Sequence, residues 1–410
     1  KTLDGNGDEP LSAEQTDTLR GYSGWGGGAD AFSDKPEWAA LAAEIRELLD
    51  DDEYTQARAS TLTAYYTPGP VVKAMWDALD IGSAPIQVLE PGCGTGNFMA
   101  GIPGNIKAHV SGVELDPISA RIAAALNPDA TILNADLADC TIHPGFDLTI
   151  GNVPYSGDIS LDYRTTDGGT SRLPLHDYFI ERSVDALRPG GVAMLLTSRY
   201  TLDKRSETMR ADLARKAELV GAVRLPSSTF ARQAGTEAVT DVLVLRRRER
   251  TLDRTPDEAW IHSNPVAVPG YQDVTVNVNQ AVANDMTAHA VGDIRPVIGR
   301  FGGDFDVVFQ GDAEQVGERP QEKLSTQITN GPPLSLGEAE PAGRAEITVR
   351  PDHVAPFEYS VDQRGVVWYG DGTTVTEIAH GQGDEARRLR GMIRLRDLAR
   401  ELQRLELDPP

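Results

Sequence analysis

The feature that most constrains this chain is an alternation, from about residue 85 to 246, of short apolar runs with longer amphipathic stretches. Short buried strands that alternate with helices are typical of α/β proteins with a mostly parallel sheet. The pattern predicts seven strands, at 86–90, 111–116, 131–136, 146–151, 191–198, 219–225 and 241–246. The last two are joined by a loop without helical periodicity, so we expect them to pair as an antiparallel hairpin at the edge of the sheet.

Helices are predicted in the stretches around these strands. The apolar periodicity places them at 70–80, 97–102, 117–127, 177–188 and 203–217. Upstream, 37–60 has the pattern of one long helix, and the glycine-rich run at 24–28 predicts a loop. Downstream, the pattern predicts strands at 274–278 and 306–309, a hairpin at 357–369 with its turn at 362–365, and an amphipathic helix at 384–407.

Composition limits the partners of the chain. It has 410 residues, with 62 acidic and 39 basic side chains and a formal charge of −23. This length predicts two or three domains, and 40% hydrophobic residues is a globular composition. A protein this acidic does not coat nucleic acid with its whole surface. Only the segment 151–250 is locally basic, with 16 basic and 13 acidic side chains, so a polyanion is expected there.

Cysteine content and hydrophobicity exclude further classes. Two cysteines, Cys93 and Cys140, cannot build a disulfide framework, and no Cys or His cluster has the spacing of a zinc site, so no metal is expected. No apolar run has the length that spans a bilayer, and the first residues lack an export signal, so no membrane is expected. We therefore expect a cytoplasmic protein in a reducing compartment.

A glycine loop follows the first predicted strand. The run from Glu90 to Phe98 places three alternate glycines between a strand and a helix, where backbone can approach a ligand closely. The same run is also compatible with an ordinary strand-to-helix turn. The next strand ends in Glu114, whose carboxylate can accept from both hydroxyls of a ribose. The third strand ends in Asp136, which is suited to accept from an adenine amino group. Together they predict an adenosine cofactor.

The charge of the loop selects among adenosine cofactors. NAD would place a diphosphate at the helix N-terminus, where basic or neutral groups are expected. This loop begins with Glu90 and contains no basic residue. A cationic sulfonium with an amino group fits better, so S-adenosylmethionine is the predicted cofactor.

The fourth predicted strand runs into Asn152, Val153, Pro154 and Tyr155, at the carboxyl end of the sheet where ligands of open sheets bind. An exocyclic amine on adenine is a poor nucleophile because its lone pair is delocalised into the ring. The Asn152 side-chain oxygen and the Pro154 carbonyl can accept its two hydrogens, while Tyr155 stacks on a base that has left the duplex. The alternative interpretation is a plain turn, in which Asn and Pro are common.

The glycine loop and the Asn-Val-Pro-Tyr turn together resemble the amino-methylating DNA methyltransferases that modify adenine N6. Their usual tetrapeptide has Pro at the second position, so Val153 is a departure. The run from Tyr65 to Pro68 resembles the motif that holds the methionine part of the cofactor, and its place before the loop matches the gamma order. The resemblance implies catalytic roles for Asn152, Pro154 and Tyr155. It implies a cofactor site made of Tyr66, Thr67, Pro68, Glu90, Gly92, Cys93, Gly94, Gly96, Asn97, Phe98, Glu114, Leu115, Asp136 and Leu137.

Further motifs resemble the N-terminal part of large methylase-helicase fusion proteins of phages, plasmids and mobile elements, some of them antirestriction or defence proteins. They include Gly24 to Gly27, Leu175 to Phe179 and Thr197 to Lys204. The predicted domains are a helical extension (1–60), a methyltransferase domain (61–250), an irregular linker or target-recognition region (251–355), and a hairpin with a helix (356–410) that would lead into a helicase portion. The expected partner is double-stranded DNA, contacted by Arg164, Arg172, Arg199, Lys204 and Arg205.

Two alternatives to a DNA adenine methyltransferase stay open at this point. The acidic total and Val153 are compatible with a catalytically weak or inactive module that serves as a DNA-binding or assembly scaffold. Alternatively, the enzyme acts on RNA or on a protein glutamine, because the same turn chemistry serves those amines and amides.

Overall fold

The computed structural model describes most of the chain between residues 11 and 396. The described residues are 11–22, 24–26, 28–33, 35–61, 66–154, 160–230, 238–299, 302–310, 313–331, 334, 336–338, 345, 347–349, 359–361, 367–370, 375–379 and 387–396. They belong to two compact units. The first unit comprises 1–137, 144–161 and 172–345, and the second comprises 138–143, 162–171 and 346–410.

The strands of the described chain are β1 (Ile86–Pro91), β2 (Ala108–Glu114), β3 (Thr131–Asn134), β4 (Cys140–Ile142), β5 (Phe146–Asn152), β6 (Ser160–Arg164), β7 (Thr170–Pro174), β8 (Leu187–Ser198), β9 (Ala217–Leu225), β10 (Thr240–Arg247), β11 (Ser263–Val268), β12 (Tyr271–Asn279), β13 (Asp293–Gly299), β14 (Gly302–Val308), β15 (Ile347–Val349), β16 (Tyr359–Val361), β17 (Val367–Gly370) and β18 (Val375–Ala379). The helices are α1 (Ala13–Arg20), α2 (Ala39–Leu48), α3 (Asp51–Ser60), α4 (Gly69–Asp77), α5 (Asn97–Ala100), α6 (Pro117–Leu126), α7 (Leu175–Ala186), α8 (Tyr200–Asp203), α9 (Thr208–Lys216), α10 (Gln280–Ala283), α11 (Met286–His289), α12 (Ala313–Asn330) and α13 (387–396).

A seven-stranded sheet in the order β3-β2-β1-β5-β8-β10-β9 organises the first unit. The five strands from β3 to β8 are parallel, and β10 runs antiparallel to both β8 and β9. All seven predicted strands are present, and the predicted antiparallel pairing of the last two is confirmed. The apolar side chains of β1, β5, β8 and β10 pack against α4 in one hydrophobic core. This order brings the carboxyl ends of β1, β2 and β5 to one edge, where the glycine loop and the Asn152 turn begin.

Several predicted helices differ from the observed ones. The single helix predicted at 37–60 is two helices, because Asp50 caps α3 in a reciprocal capping box with Glu53 and ends the run of α2. The predicted helix at 203–217 starts at Thr208, since Asp203 ends the separate turn α8. Helix α12 was not predicted, and Pro320 lies inside it. It packs on α4 and β9, and Leu324 is fully buried.

The region 251–310 also contains more regular structure than its composition predicts. Strands β11 and β12 form one antiparallel hairpin and β13 and β14 form another. The predicted strand piece at 274–278 lies in β12, and the piece at 306–309 overlaps β14, which ends at Val308. This region forms hairpins despite its content of Pro, Gly and Asn because its side chains bind residues outside it. For example, Asp304 of β14 pairs with Arg199.

The second unit is described in parts. Strand β15 pairs with β4, and β16, β17 and β18 form a three-stranded antiparallel sheet. The hairpin predicted at 357–369 is present as β16 and β17, while its predicted turn at 362–365 lies outside the described residues. The helix predicted at 384–407 is described over 387–396. Within the described residues, no helix combines the length and hydrophobicity needed to cross a membrane.

Candidate active site

The glycine loop leaves β1 at Pro91 and turns into α5. Gly92, Gly94 and Gly96 have φ angles of +67°, +55° and +82°, in the left-handed region where a side chain is strained. A β-carbon on Gly96 would lie 2.5 Å from the Asn127 side-chain nitrogen, and one on Gly94 would lie 3.0 Å from the Tyr66 ring. Both the backbone conformation and the space therefore require glycine, as the sequence predicted for a loop that approaches a ligand.

Two acidic side chains flank this loop without a cationic partner among the residues that the structure describes. Glu90 is 2% exposed and accepts from the backbone N–H groups of Phe98 and Met99. Glu114, at the end of β2, accepts from Gly94 N–H (2.7 Å) and Asp116 N–H (2.8 Å). Burial raises the pKa of Glu90 well above its usual value and raises the pKa of Glu114 to about 7. Such carboxylates gain from a cationic ligand.

The Asn152 turn follows β5 directly. Strand β5 pairs with β8 in parallel up to Asn152 opposite Leu196, and the Val153 N–H donates to the Leu196 carbonyl at 2.9 Å. The Val153 side chain is fully buried. Proline at this position would lack that N–H, so valine extends the sheet by one hydrogen bond. The departure from the usual tetrapeptide therefore adds a backbone contact here, and Tyr155 lies outside the described residues.

One cavity collects most of the predicted site residues. Its wall contains Tyr66, Thr67, Glu90, Gly92, Cys93, Gly94, Asn97, Phe98, Glu114, Leu115, Asp136, Leu137, Asn152 and Pro154. Pro68 and Gly96 are not among its lining residues. The cavity also contains residues that the sequence did not indicate, namely Gln56, Ala59, Ser60, Val113, Asp116, Ser119, Ala135, Leu161, Leu175 and Phe179. A sequence signal exists for Leu175 and Phe179, because both belong to the motif at the start of α7 that resembles the methylase-helicase proteins.

The basic residues predicted to face DNA divide into two groups. Arg199 is 6% exposed and binds Asp203 (3.2 Å) and Asp304 (2.5 Å), so the prediction that it faces DNA is corrected to a role in the protein interior. Lys204 is partly buried and paired with Asp177. Arg205 and Arg172 are exposed. The side chain of Arg164 lies outside the described part of the chain. Closeness in sequence to the Asn152 turn did not decide which side chains reach solvent.

The cavity fits S-adenosylmethionine chemically. The described lining contains Glu90, Glu114, Asp116 and Asp136 and no Lys, Arg or His, which suits a cation and disfavours a diphosphate. Among the described lining residues, Glu90 Oε2, Thr67 Oγ1 and Asp116 Oδ1 are buried atoms with no hydrogen-bond partner. Buried polar atoms are normally satisfied, so these atoms indicate a polar ligand. The described residues contain no group of three or more His, Cys, Asp or Glu side chains arranged to hold a metal ion.

The sheet order, with one antiparallel strand inserted next to the edge, is that of the class I S-adenosylmethionine-dependent methyltransferases. The predicted fold class and cofactor are confirmed. No family model matches the chain. It is 30% identical over 229 residues to the defense against restriction protein B of Escherichia phage P1, an alignment that covers 53% of this chain and 10% of the phage protein.

Two further proteins are similar to the chain. The chain is 28% identical over 166 residues to the type II methyltransferase M.XamI of Xanthomonas campestris pv. amaranthicola, covering 36% of this chain and 32% of that protein. The type I restriction enzyme EcoKI M protein superposes with a TM-score of 0.40 at 13% identity, covering 78% of this chain and 83% of that one. The chain thus spans about a tenth and a third of the two curated relatives, and the fold assignment rests on the strand order alone.

Proposed function

We propose that this chain transfers a methyl group from S-adenosylmethionine to the N6 amine of an adenine flipped out of double-stranded DNA. The observation that supports the proposal most directly is the shared cavity. It joins Asn152 and Pro154, at the end of β5, to the acidic wall formed by Glu90 and Glu114. The methyl acceptor and the methyl donor would therefore meet in one place. The likeness to a type II methyltransferase and to an antirestriction protein supports DNA as the substrate.

When bound, S-adenosylmethionine supplies an electrophilic methyl group on a sulfonium. The residues of the chain bind and orient both molecules. Glu114 would accept from the ribose hydroxyls, and Glu90 would hold the cationic part of the cofactor. The backbone of the glycine loop allows the close approach. Asp136, another lining residue, would accept from the adenine of the cofactor. These proposed roles are supported by the presence of all three side chains in one cavity wall.

On the acceptor side, the Asn152 amide oxygen and the Pro154 carbonyl would accept the two hydrogens of the amine. Accepting both hydrogens favours a pyramidal nitrogen, so that its lone pair turns away from the ring and toward the methyl group. The reaction would form an N–C bond and break the S–C bond, whose electron pair would stay on sulfur. The methylated nitrogen would then be cationic and would lose one proton to solvent, while Asn152 and Pro154 act only as hydrogen-bond acceptors. Tyr155 is proposed to stack on the flipped base.

The decisive experiment uses tritiated S-adenosylmethionine with unmethylated duplex DNA, and the products are digested and separated by nucleoside. Label is expected in N6-methyladenine. Asn152→Ala is expected to lower the rate by about 100-fold or more, with cofactor affinity kept. Asn264→Ala, an exposed asparagine in β11, is the matched control and should retain full activity. If label appeared only in RNA or in protein glutamine, that molecule would be the methyl acceptor in place of DNA adenine. Cofactor binding without any labelled product would favour a scaffold.

The wider biological setting is part of the same proposal. The alignment with the phage P1 protein and the resemblance to methylase-helicase proteins support a role in restriction or antirestriction, with a helicase portion in the same polypeptide. Methylation of a host recognition site would protect phage or plasmid DNA from cleavage. Challenge of DNA methylated by this protein with host restriction extracts tests that role.

A further inference from the structure

The segment from residue 11 to 61, called here the N-terminal segment, packs against the cofactor site. Gln56, Ala59 and Ser60 of α3 form part of the cavity wall. Helices α1 and α3 both contact α6, the helix that follows Glu114. Glu53 of α3 forms an ion pair with Arg121 of α6, with 3.3 Å between nitrogen and oxygen. A part of the chain outside the seven-stranded sheet therefore borders the cofactor cavity.

The N-terminal segment has its own hydrophobic core. Ala31, Phe32, Ile45 and Ala57 are buried together, although they come from different elements. Trp25 packs edge-to-face on Phe32, with 5.1 Å between the ring centroids, and so anchors the glycine-rich loop to this core. Gly24, which precedes Trp25 in this loop, has a defined neighbour.

That neighbour is Tyr66. Gly24 has φ +72°, and a β-carbon on it would lie 2.2 Å from Cε2 of the Tyr66 ring. On the other side, a β-carbon on Gly94 of the cofactor loop would lie 3.0 Å from Cε1 of the same ring. The Tyr66 ring thus lies between two glycines, one from the N-terminal segment and one from the glycine loop. Any side chain on either glycine would displace the ring.

Tyr66 is in turn linked to the ribose-binding carboxylate. Its hydroxyl donates to Ser119 Oγ at 3.1 Å, and Ser119 Oγ donates to Asp116 Oδ2 at 2.5 Å. The Asp116 N–H donates to Glu114 Oε1 at 2.8 Å, and Glu114 Oε2 accepts from Gly94 N–H. A continuous series of short contacts therefore runs from Gly24 through Tyr66 to Glu114. Such networks hold a side chain in one rotamer more firmly than any one bond does.

We propose that the N-terminal segment is part of the cofactor site, with α3 as its outer wall and Gly24 as a positioning residue that holds Glu114 through Tyr66. The inference rests on S-adenosylmethionine as cofactor and on Glu114 as its ribose contact, and it is independent of the methyl acceptor. It gives a function to the Gly24-Trp25-Gly26-Gly27 motif, which the proposed reaction leaves unexplained. Cofactor affinity should then depend on a residue that does not touch the cofactor.

The first experiment measures binding of S-adenosylhomocysteine by calorimetry, without nucleic acid, to the full chain. Gly24→Ala is expected to weaken binding about tenfold, equivalent to about 1.4 kcal/mol, because the added methyl group displaces the Tyr66 ring. Gly21→Ala is the matched control, since Gly21 lies in the same segment at φ −73° and has only backbone oxygens near its added carbon. Its affinity should equal that of the wild type. Thermal unfolding of each variant, measured alongside, identifies any that fail to fold.

A second readout separates positioning from general damage. S-adenosylhomocysteine and its 2′,3′-dideoxy analogue differ only in the ribose hydroxyls that Glu114 would bind. Gly24→Ala and Tyr66→Phe should weaken binding of the hydroxylated ligand and leave binding of the dideoxy ligand nearly unchanged. Tyr66→Phe keeps the ring and removes only the hydroxyl link, so it provides a variant with little risk of misfolding.

Hydrogen exchange gives the third readout and distinguishes the possible failures. Ligand should slow amide exchange in α3 and around Gly24 as well as in the glycine loop. If wild-type protein binds no S-adenosylhomocysteine, the proposed function itself fails. If it binds, but protection is confined to 86–137 and both variants keep the wild-type preference for the hydroxylated ligand, the role of the N-terminal segment is refuted while the methyltransferase proposal survives.

Discussion

The two halves of the seven-stranded sheet carry buried acidic side chains in different ways. In the cofactor half, Glu90 and Glu114 lie at the carboxyl ends of β1 and β2 and are held by backbone N–H groups, with no basic side chain beside them in the described structure. In the other half, Asp203 and Asp241 both bind the Arg224 guanidinium, at 2.7 and 2.9 Å. The protein itself neutralises the second pair. The first pair has no such cation within the described residues, so we expect a cationic ligand to neutralise it. This difference distinguishes a binding site from a buried network that stabilises the fold.

In the half of the sheet where arginine neutralises the buried acids, similar contacts attach the hairpins of 251–310. Arg199 bridges Asp203 of α8 and Asp304 of β14, and its guanidinium lies 4.6 Å from the centroid of the Phe305 ring. The Asn279 side chain of β12 donates to the carbonyls of Leu202 (3.1 Å) and Trp260 (2.7 Å). Charge and amide groups thus add to the buried apolar contacts of this region.

The largest effect is expected from removal of the shared cation. Arg224→Met would leave Asp241 buried without its cation and Asp203 with Arg199 alone, and the free energy of unfolding should fall by about 3–5 kcal/mol. Urea denaturation measures it. Arg246→Met is the control, because Arg246 is partly exposed and pairs with Glu218 at 2.7 Å, and a loss below about 1 kcal/mol is expected. Equal losses in the two variants would mean that the buried network does not differ from a surface pair.

A substitution of an acidic side chain in the cofactor half should instead leave stability nearly unchanged and lower cofactor affinity. Glu90→Gln removes a charge that has no cationic partner, so the unfolding free energy should change by less than about 1 kcal/mol. Affinity for S-adenosylmethionine should fall about tenfold, a cost of about 1.4 kcal/mol, because the cation loses its counter-charge. Calorimetry and urea denaturation of the same variant give both values.

Asp147→Asn provides the matched control for Glu90→Gln. Asp147 lies on the neighbouring strand β5, is buried, and is paired with Arg188 at 2.6 Å. This variant should lose stability and keep its cofactor affinity. The comparison between the two halves fails if Glu90→Gln destabilises the fold as much as Asp147→Asn while cofactor affinity stays the same.

The pH dependence of cofactor binding should reveal the titration of Glu114 and Glu90, which have no cationic partner among the described residues. Burial raises the pKa of Glu114 to about 7 in the free protein. A cationic ligand with hydroxyl donors favours the carboxylate, so binding releases a proton below pH 7. Affinity should therefore rise with pH up to about 7 and level off above it, with a change of up to about tenfold per pH unit below. Glu114→Gln should flatten this profile and leave only the share of Glu90, whose raised pKa acts in the same direction. A variant with the full wild-type slope would exclude Glu114 as the titrating group.

Much of the sheet and the cofactor loop was predictable because those features are local. Alternating apolar runs and alternate glycines leave the same pattern wherever they occur, so β1, β5 and the loop from Gly92 to Gly96 matched the prediction. Contacts between distant segments leave no such pattern. Nothing near Gln56 indicates that α3 reaches the cavity, and nothing near Arg199 indicates that Asp304, over a hundred residues later, would bury it. Helix α12 was missed because Pro320 interrupts its local propensity while its packing on α4 and β9 maintains it.

The smallest expected effect is on DNA affinity and concerns the basic residues that the sequence predicted to face DNA. Arg199 is buried and paired, whereas Arg205, six residues later, is exposed. Arg205→Ala should weaken binding of duplex DNA by less than about 1 kcal/mol and lower the slope of log affinity against log salt by about 1, the loss of one phosphate contact.

Arg199→Ala should instead lower stability, because it leaves Asp203 and Asp304 with one partner fewer. Fluorescence anisotropy over a range of salt concentrations, with urea denaturation of both variants, distinguishes them. An unchanged salt slope for Arg205→Ala would place the phosphate contacts elsewhere, and an unchanged stability for Arg199→Ala would remove the reason for separating the two arginines.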